Sequence, residues 1–557
     1  MVPEWLPIHR LAVLFAFLVA FGIVYAVDRP RGTWGRRLRS RLLFGVPWGT
    51  LLAMAFVVAV YLFAQGGLEH RYRPVVIPFR AWSYLYPEGM LLAGFSHASF
   101  GHLTGNLIGT LVAGSLAEYA FGHFPRERGS AAFASLRSNP YVRALVFAPA
   151  AILITGVLTA LFALGPVIGF SGVVFALWGF ALVHYPLGAI VALAGSRLVG
   201  LLWSVWRNPI VTGSAGPSYG GPWWAGIAVQ GHAIGLFIGA IVGLSVLERR
   251  GERPSALRLF AGGLLFSVSQ ALWAVYWYLG SERYVLYRGI GTALVVLLAA
   301  VIAAAGAAKA KPFVEEWAVP DPQTFSESIR SATPRTVAFV ALLLAFGAIA
   351  GPAVPVNMMT TADDPVPGQS MSVDGYEVTY AENVPNGMVS VVDVEAFGQS
   401  TTVNTSGVIV YNDERHIWLN AISKGQLAFT GTSRVELGGI GWRVTVTAKR
   451  TGWRAVGGDP TYRIVLSHED RNVTSFVSAP STAEATIDGR NVSIAAVEDG
   501  FQIRVTQNGT ADAATAPLPA TNESVQVGGI TFERVDKKLF AVRGDTRVRI
   551  ANAETYQ

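Results

Sequence analysis

Three apolar stretches of this 557-residue chain carry polar side chains of the kinds that perform nucleophilic chemistry when they meet. The first reads GFSHASFGHLTGN from Gly94 to Asn106, the second GFSG from Gly169 to Gly172, and the third GHAIG from Gly231 to Gly235. A serine hydroxyl is a weak nucleophile until a base takes its proton, and a neutral imidazole, with an unperturbed pKa of ~6.5, suits that task near neutral pH. Ser171 and His232 are the expected pair. Attack on an amide creates an oxyanion, and a donor already aimed at it is worth roughly 3–4 kcal/mol in a soluble serine protease. Asn106, His102 and the backbone N–H of Ser171, at the favourable end of a helix dipole, are the candidate donors. No Asp or Glu lies near the outer ends of these stretches to orient the imidazole. A dyad is therefore expected in place of a triad, with Phe175, one turn after Ser171, holding the ring by stacking.

Spacing divides the histidines. At 100° per residue His102 and Asn106 share a helix face, whereas His97 falls away from it and belongs before or at the first turn. Its expected role is to pin the preceding loop by hydrogen bonds. Gly231, Gly235, Gly239 and Gly243 recur every four residues, as do Gly101, Gly105 and Gly109, and such stripes let membrane helices approach closely. A seam of this kind would hold His232 against Ser171. The loop at 207–224, rich in Gly and Pro, is the expected lid over a mouth that must admit water.

The elements that position these residues are membrane spans. The chain is 52% hydrophobic and only 14% charged, against about 25% charged in soluble domains. Apolar runs near the ~20 residues needed to cross a bilayer occur at 10–27, 43–64, 103–121, 142–163, 170–186, 188–206, 226–247, 257–279, 285–306 and 336–355. Arg197, in the middle of the sixth, must snorkel or face protein. Eighteen Lys and Arg fall in the connections that are internal if the N-terminus is outside, which fits the positive-inside rule. The competing reading of residues 1–26 as a cleaved signal peptide inverts that bias. With zero Cys there is no disulfide, thiolate nucleophile or Cys-ligated metal, and neither a metal nor another cofactor is expected. The net charge of +7 combines 26 Lys and Arg against 13 Asp and Glu in residues 1–359 with 17 against 23 thereafter. Its basic part lies in short loops, not in a phosphate-binding track, so no nucleic-acid partner is expected.

From about residue 360 the pattern becomes short alternating runs with Asp-Gly or Asn-Gly turns at 374, 386, 488 and 508. These predict an all-β sandwich or a pair of small β-domains. Five Asn-x-Ser/Thr sequons, at Asn404, Asn472, Asn491, Asn508 and Asn522, all fall here. Chance in an Asn- and Thr-rich region is the plain alternative, but ten spans from an outside N-terminus also place this region outside.

The pattern His97-x4-His102-x3-Asn106, the run GFSGVVFALWGF from Gly169 to Phe180, Glu118-x3-Gly122 and His232-x2-Gly235-x3-Gly239 resembles the rhomboid family of intramembrane serine proteases over about residues 43–250. The resemblance implies a Ser171–His232 dyad, an oxyanion site at His102 and Asn106, and single-span membrane protein substrates cut near the outer boundary. Many family members have Tyr where Phe175 stands, and the first outer loop reads Arg80-Ala81-Trp82 instead of the usual Trp-Arg pair. The expected fold is a polytopic α-helical membrane protein, a six-span rhomboid-like core with about four extra spans, and a C-terminal all-β extracytoplasmic domain. The expected division is 1–42 (extra span and basic cytoplasmic loop), 43–250 (catalytic core), 251–355 (three further helices) and 356–557 (a β-rich binding or anchoring module of unassigned partner, removable at about 356 without loss of hydrolysis). Gly169, Gly172, Phe175, Gly235 and His97 are its supporting residues. A silent relative that binds membrane clients, and a transporter using the intramembrane His and Asn, are the alternatives. The first usually lacks the Ser or His, and the second needs polar groups reaching the midplane.

Overall fold

The computed structural model describes residues 8–29, 31–124, 130–211, 218–280, 282–308, 333–358, 366–387, 395–396, 399–400, 403–484, 486–507 and 513–557. Asn508 and part of the expected lid, 212–217, lie outside the described residues. Helices run at α1 Ile8–Asp28, α2 Thr33–Arg41, α3 Trp48–Ala59 with a wider turn to Ala64, α4 Pro87–Ala93, α5 Phe100–Phe121, α6 Pro140–Leu161, α7 Ser171–His184, α8 Pro186–Arg207, α9 Val229–Arg250, α10 Ala256–Ser269, α11 Arg288–Ala307 and α12 Pro334–Met358. Six of them, α1, α6, α8, α9, α11 and α12, are long and apolar enough to cross a bilayer; α3, α7 and α10 are shorter apolar helices. This is a multi-pass helical membrane region.

Helix α7 lies at its centre. Val173, Phe175, Leu177, Trp178 and Leu182 pack with Ala53 and Val57 of α3, Leu103 and Ala113 of α5, Ile152 of α6 and Phe266 of α10 in one buried cluster. Burial on all sides explains why α7 reads as apolar all round. At the opposite end from Ser171, three guanidinium groups satisfy the last carbonyls of α5. Arg41 and Arg250 donate to Ala120 O at 2.8 and 2.9 Å, and Arg143 donates to Gly122 O at 2.9 Å. Cations belong at a helix C-terminus, where carbonyls lack partners and the dipole is negative. Glu118 accepts from Gly49 N, Thr50 N and His123 Nε2 at 2.9, 2.8 and 2.7 Å, which joins α3 to α5.

The run 257–279 is not one continuous helix. Helix α10 stops at Ser269, and Tyr276–Tyr278 (β1) and Tyr284–Leu286 (β2) pair as an antiparallel hairpin. The consecutive aromatics Tyr276, Trp277 and Tyr278, just before Gly280, favour a strand, although they also extend an apolar run. Arg197 on α8 is exposed, and its guanidinium reaches the end of α10, where it donates to Ser269 O at 3.3 Å.

The C-terminal region is all-β apart from one short helix. Met371–Val373 (β3), Tyr376–Pro385 (β4), Asn404–Asn412 (β7) and Ile417–Ser423 (β8) form one sheet, with a small hairpin at Glu395–Ala396 (β5) and Gln399–Ser400 (β6). A larger sheet is centred on Trp442–Ala455 (β10), flanked by Thr432–Gly439 (β9) on one side and Pro460–His468 (β11) on the other. The strands split between two hydrophobic cores, one from Met371 to Leu466 and one from Trp453 to Ala551, joined through β10. The all-β character matches the sequence expectation, and the strands divide between two cores.

The β-region is not an independent packing unit. Ile77, Trp82 and Tyr86 of the loop after α3 are buried in the same core as Tyr376, Val408, Leu437 and Ile464. Ser83 Oγ and Tyr84 N both donate to Asn357 O, at 3.1 and 2.8 Å, where the chain leaves the last helix. Removal at 356 therefore strips three large apolar side chains of their cover. The β-region sits at the Ser171 end of the bundle, away from the arginine cluster.

Candidate active site

Ser171 is the first residue of α7, and the chain reaches it through Gly169 at φ +128°, a conformation that L side chains rarely adopt. A Cβ at Gly169 would lie 2.5 Å from His102 Cε1, so this backbone also makes room for that imidazole. His232 is in the first turn of α9. Its Nε2 lies 3.0 Å from Ser171 Oγ. With the serine donating, the proton of the neutral ring sits on Nδ1, a buried atom with no hydrogen-bond partner among the described residues. No carboxylate among the described residues orients the ring. Phe175 does so by stacking, with centroids 4.2 Å apart and planes 7° from parallel.

Glycine fixes the distance between the two helices. A Cβ on Gly235 would meet Gly172 O at 2.0 Å and one on Gly239 would meet Ala176 O at 1.8 Å. The stripe is shorter than its sequence period implies: Gly231 faces open space, as does Gly105, and Gly101 meets nothing closer than Ser99 Oγ at 3.8 Å. On α5 the close approach is at Gly109, against Val174 of α7. A four-residue repeat continues along a helix after its neighbour has diverged.

The donor side is built on α5. Ser99 caps the helix by accepting from His102 N at 3.1 Å. Asn106, almost fully buried, has its Nδ2 3.0 Å from His97 Nε2, and the His97 ring stands edge-on to His102 with centroids 5.1 Å apart. His97 therefore does two things. Its backbone is pinned by Gln65, which accepts from His97 N at 2.8 Å and donates to His97 O at 2.9 Å, and its ring orients the Asn106 amide. The second task was not legible from helical angles, because His97 precedes α5. His123 and His184 are at the other end of the bundle, on Glu118 and on Phe180 O.

Gln230 escaped the sequence reading. It accepts from Leu164 N at 3.0 Å and donates to Phe162 O at 2.9 Å and Ile349 O at 3.0 Å, tying the first turn of α9 to the loop that delivers Gly169 and Ser171. The signal was an amide two residues before His232 in an apolar run. A cavity of about 30 Å³ adjoins the pair, lined by Gly94, Thr159, Gly169, Ser171, Gly231 and His232 among others. That is the share of liquid volume taken by one water. Two residues of the expected lid are anchored, since Trp224 packs on Tyr276 and Tyr284 and the Tyr219 and Ser423 hydroxyls lie 2.7 Å apart, and just beyond it Tyr276 Oη donates to Ala225 O at 2.7 Å.

No family model, curated protein or solved structure matches this chain.

Proposed function

We propose that this protein is an intramembrane serine endopeptidase of the rhomboid type. The observation that carries the reading is the Ser171 Oγ to His232 Nε2 distance of 3.0 Å, held between two packed helices by Phe175 and a glycine seam. His232 takes the proton of Ser171 as its oxygen attacks the scissile carbonyl, then returns it to the leaving amine; water reverses the sequence to release the second product. The oxyanion meets His102, Asn106 and the Ser171 N–H, the last free of any intrahelical partner at the start of α7. The 30 Å³ cavity beside Ser171 favours a small side chain at the cut. Substrates are single-span membrane proteins, because a site at this depth meets its substrate from the bilayer. A helical carbonyl must first leave its own hydrogen bond, which small or helix-breaking residues ease.

The charge asymmetry supports ten crossings in a cell membrane with the N-terminus, the Ser171 end of the bundle and the β-region extracytoplasmic, the β-region carrying the sequons. The test is a purified preparation in liposomes with a labelled single-span substrate, sequencing the product terminus. Cleavage by wild type that is absent in Ser171→Ala supports the reading; equal cleavage by both disproves it.

A further inference from the structure

Between the loop after α3 and the β-region lies a cavity of about 680 Å³, lined by Tyr72, Arg73, Pro74, Val76, Ile77, Arg80 and Ala98 below and by residues of β8 and β9 above, within the ~300–1,000 Å³ range of ligand sites. Three arginines line it, Arg73, Arg80 and Arg434. None has a carboxylate within ion-pair distance among the described residues, and Arg80 Nε is buried with no hydrogen-bond partner. Its single carboxylate, Glu436, is already held by Arg443 at 2.8 Å and by Thr445 Oγ1. The cavity is thus a cationic slot. Burial holds Arg80 below the usual guanidinium range, which states the same deficit.

Its roof is an unpaired strand edge. Strand β9 pairs with β10 alone. Alternation in an antiparallel ladder turns the N–H and C=O of every second residue to the free side. Gly438 O is one of these, since it accepts from Tyr376 Oη at 3.0 Å; the same period assigns Glu436, Arg434 and Thr432 to that side, and their groups have no main-chain partner among the described residues. Exposed edges accept an added strand. The floor of the slot leads to the dyad: Ala98 follows His97, Arg80 Nη1 donates to Pro166 O at 3.1 Å, and Ala81 N donates to Val167 O at 3.0 Å on the segment running to Gly169.

We infer that this slot binds an extended acidic peptide segment, added as a strand along the free edge of β9 with its carboxylates on Arg73, Arg80 and Arg434. That the segment is the exposed flank of a membrane substrate, captured before its span reaches Ser171, rests on the peptidase reading. The peptide site itself does not.

The experiment uses the full-length Ser171→Ala protein in phosphatidylcholine vesicles and a fluorescent peptide alternating Glu with Val and Thr, read by anisotropy. Saturable binding is expected, with none for the Lys-for-Glu counterpart. Arg434→Glu and Arg73→Glu, both exposed positions, should each weaken it roughly tenfold or more while leaving the unfolding temperature in place. N-methylation of alternate peptide nitrogens should abolish it. Indifference to peptide charge, to both reversals or to N-methylation overturns the inference. So does displacement of the peptide by soluble short-chain phosphatidylglycerol, which would assign the guanidinium groups to lipid phosphate. Because binding is read without turnover, failure here is separable from failure of the peptidase reading, which labelling of Ser171 tests.

Discussion

Substituting Gly235 by alanine tests whether the glycine seam sets the chemistry. The added Cβ would lie 2.0 Å from Gly172 O, where a carbon–oxygen contact needs roughly 3.3 Å, so α9 must retreat from α7 by about 1 Å. His232 is less than one turn from Gly235, and Ser171 precedes Gly172. The same retreat lengthens the 3.0 Å Ser171–His232 bond to about 4 Å, past hydrogen-bonding range. Misplacement on that scale costs about 100-fold in rate, or about 2.7 kcal/mol of barrier. Overpacking costs a further ~1–3 kcal/mol of stability, so turnover is measured well below the unfolding temperature of the variant. The assay is kcat on a single-span substrate in liposomes, with Gly200→Ala, whose Cβ meets nothing within 4 Å, as the control. A Gly235→Ala protein that keeps the wild-type kcat would refute the claim that backbone contact positions the imidazole.

Other expectations follow from single contacts. Phe175→Ala removes the ring stacked 4.2 Å from His232 and should lower kcat several-fold, on the ~0.5–1.5 kcal/mol scale of such pairs, whereas Phe175→Tyr keeps it; equal kcat for the two variants would dismiss stacking. Gln230→Leu removes three hydrogen bonds to backbone groups, two of them part-buried and one exposed, and should lower both the unfolding temperature and kcat, at ~0.5–1.5 kcal/mol for each part-buried bond, and an unchanged melting curve would count against it. In the β-region, burial opposes ionisation of Glu382, but bonds from Lys424, Tyr462 and Tyr380 outweigh it and hold the carboxyl below its ordinary value. A depressed folded-state pKa contributes stability that is present above the unfolded value of ~4.3 and is lost as pH falls through the folded one. Denaturant midpoints of the β-region should therefore be level from pH 7 to 5 and fall below about 4, with a smaller fall in Glu382→Gln.

How far the sequence carried depended on the range of the signal. Ser171, His232, Phe175 and the 235–239 seam were legible because each depends on identity and helical period, and the structure brings them together. The β character of the C-terminal region was legible from alternation and turn residues, whereas its division between two cores was not, because alternation does not say which strands share a core. Residue type alone did not reveal that Ile77, Trp82 and Tyr86 belong to the core of a region that begins almost 300 residues later, since an apolar side chain in a loop does not name its partner. The hairpin at 276–286 was hidden because Tyr and Trp, largely apolar in body, extend an apolar run without marking where helix gives way to strand. Gln230 and the ring contact of His97 with Asn106 were hidden because both act across loops, where helical angles carry no information.

The most direct test of the central claim is serine labelling. Wild-type protein in liposomes is treated with a fluorophosphonate, and the modified residue is located by peptide mass spectrometry. Activation of Ser171 by His232 predicts one adduct, on Ser171, absent from His232→Ala. Labelling of Ser171 that persists in His232→Ala, or no labelling of wild type, would contradict it.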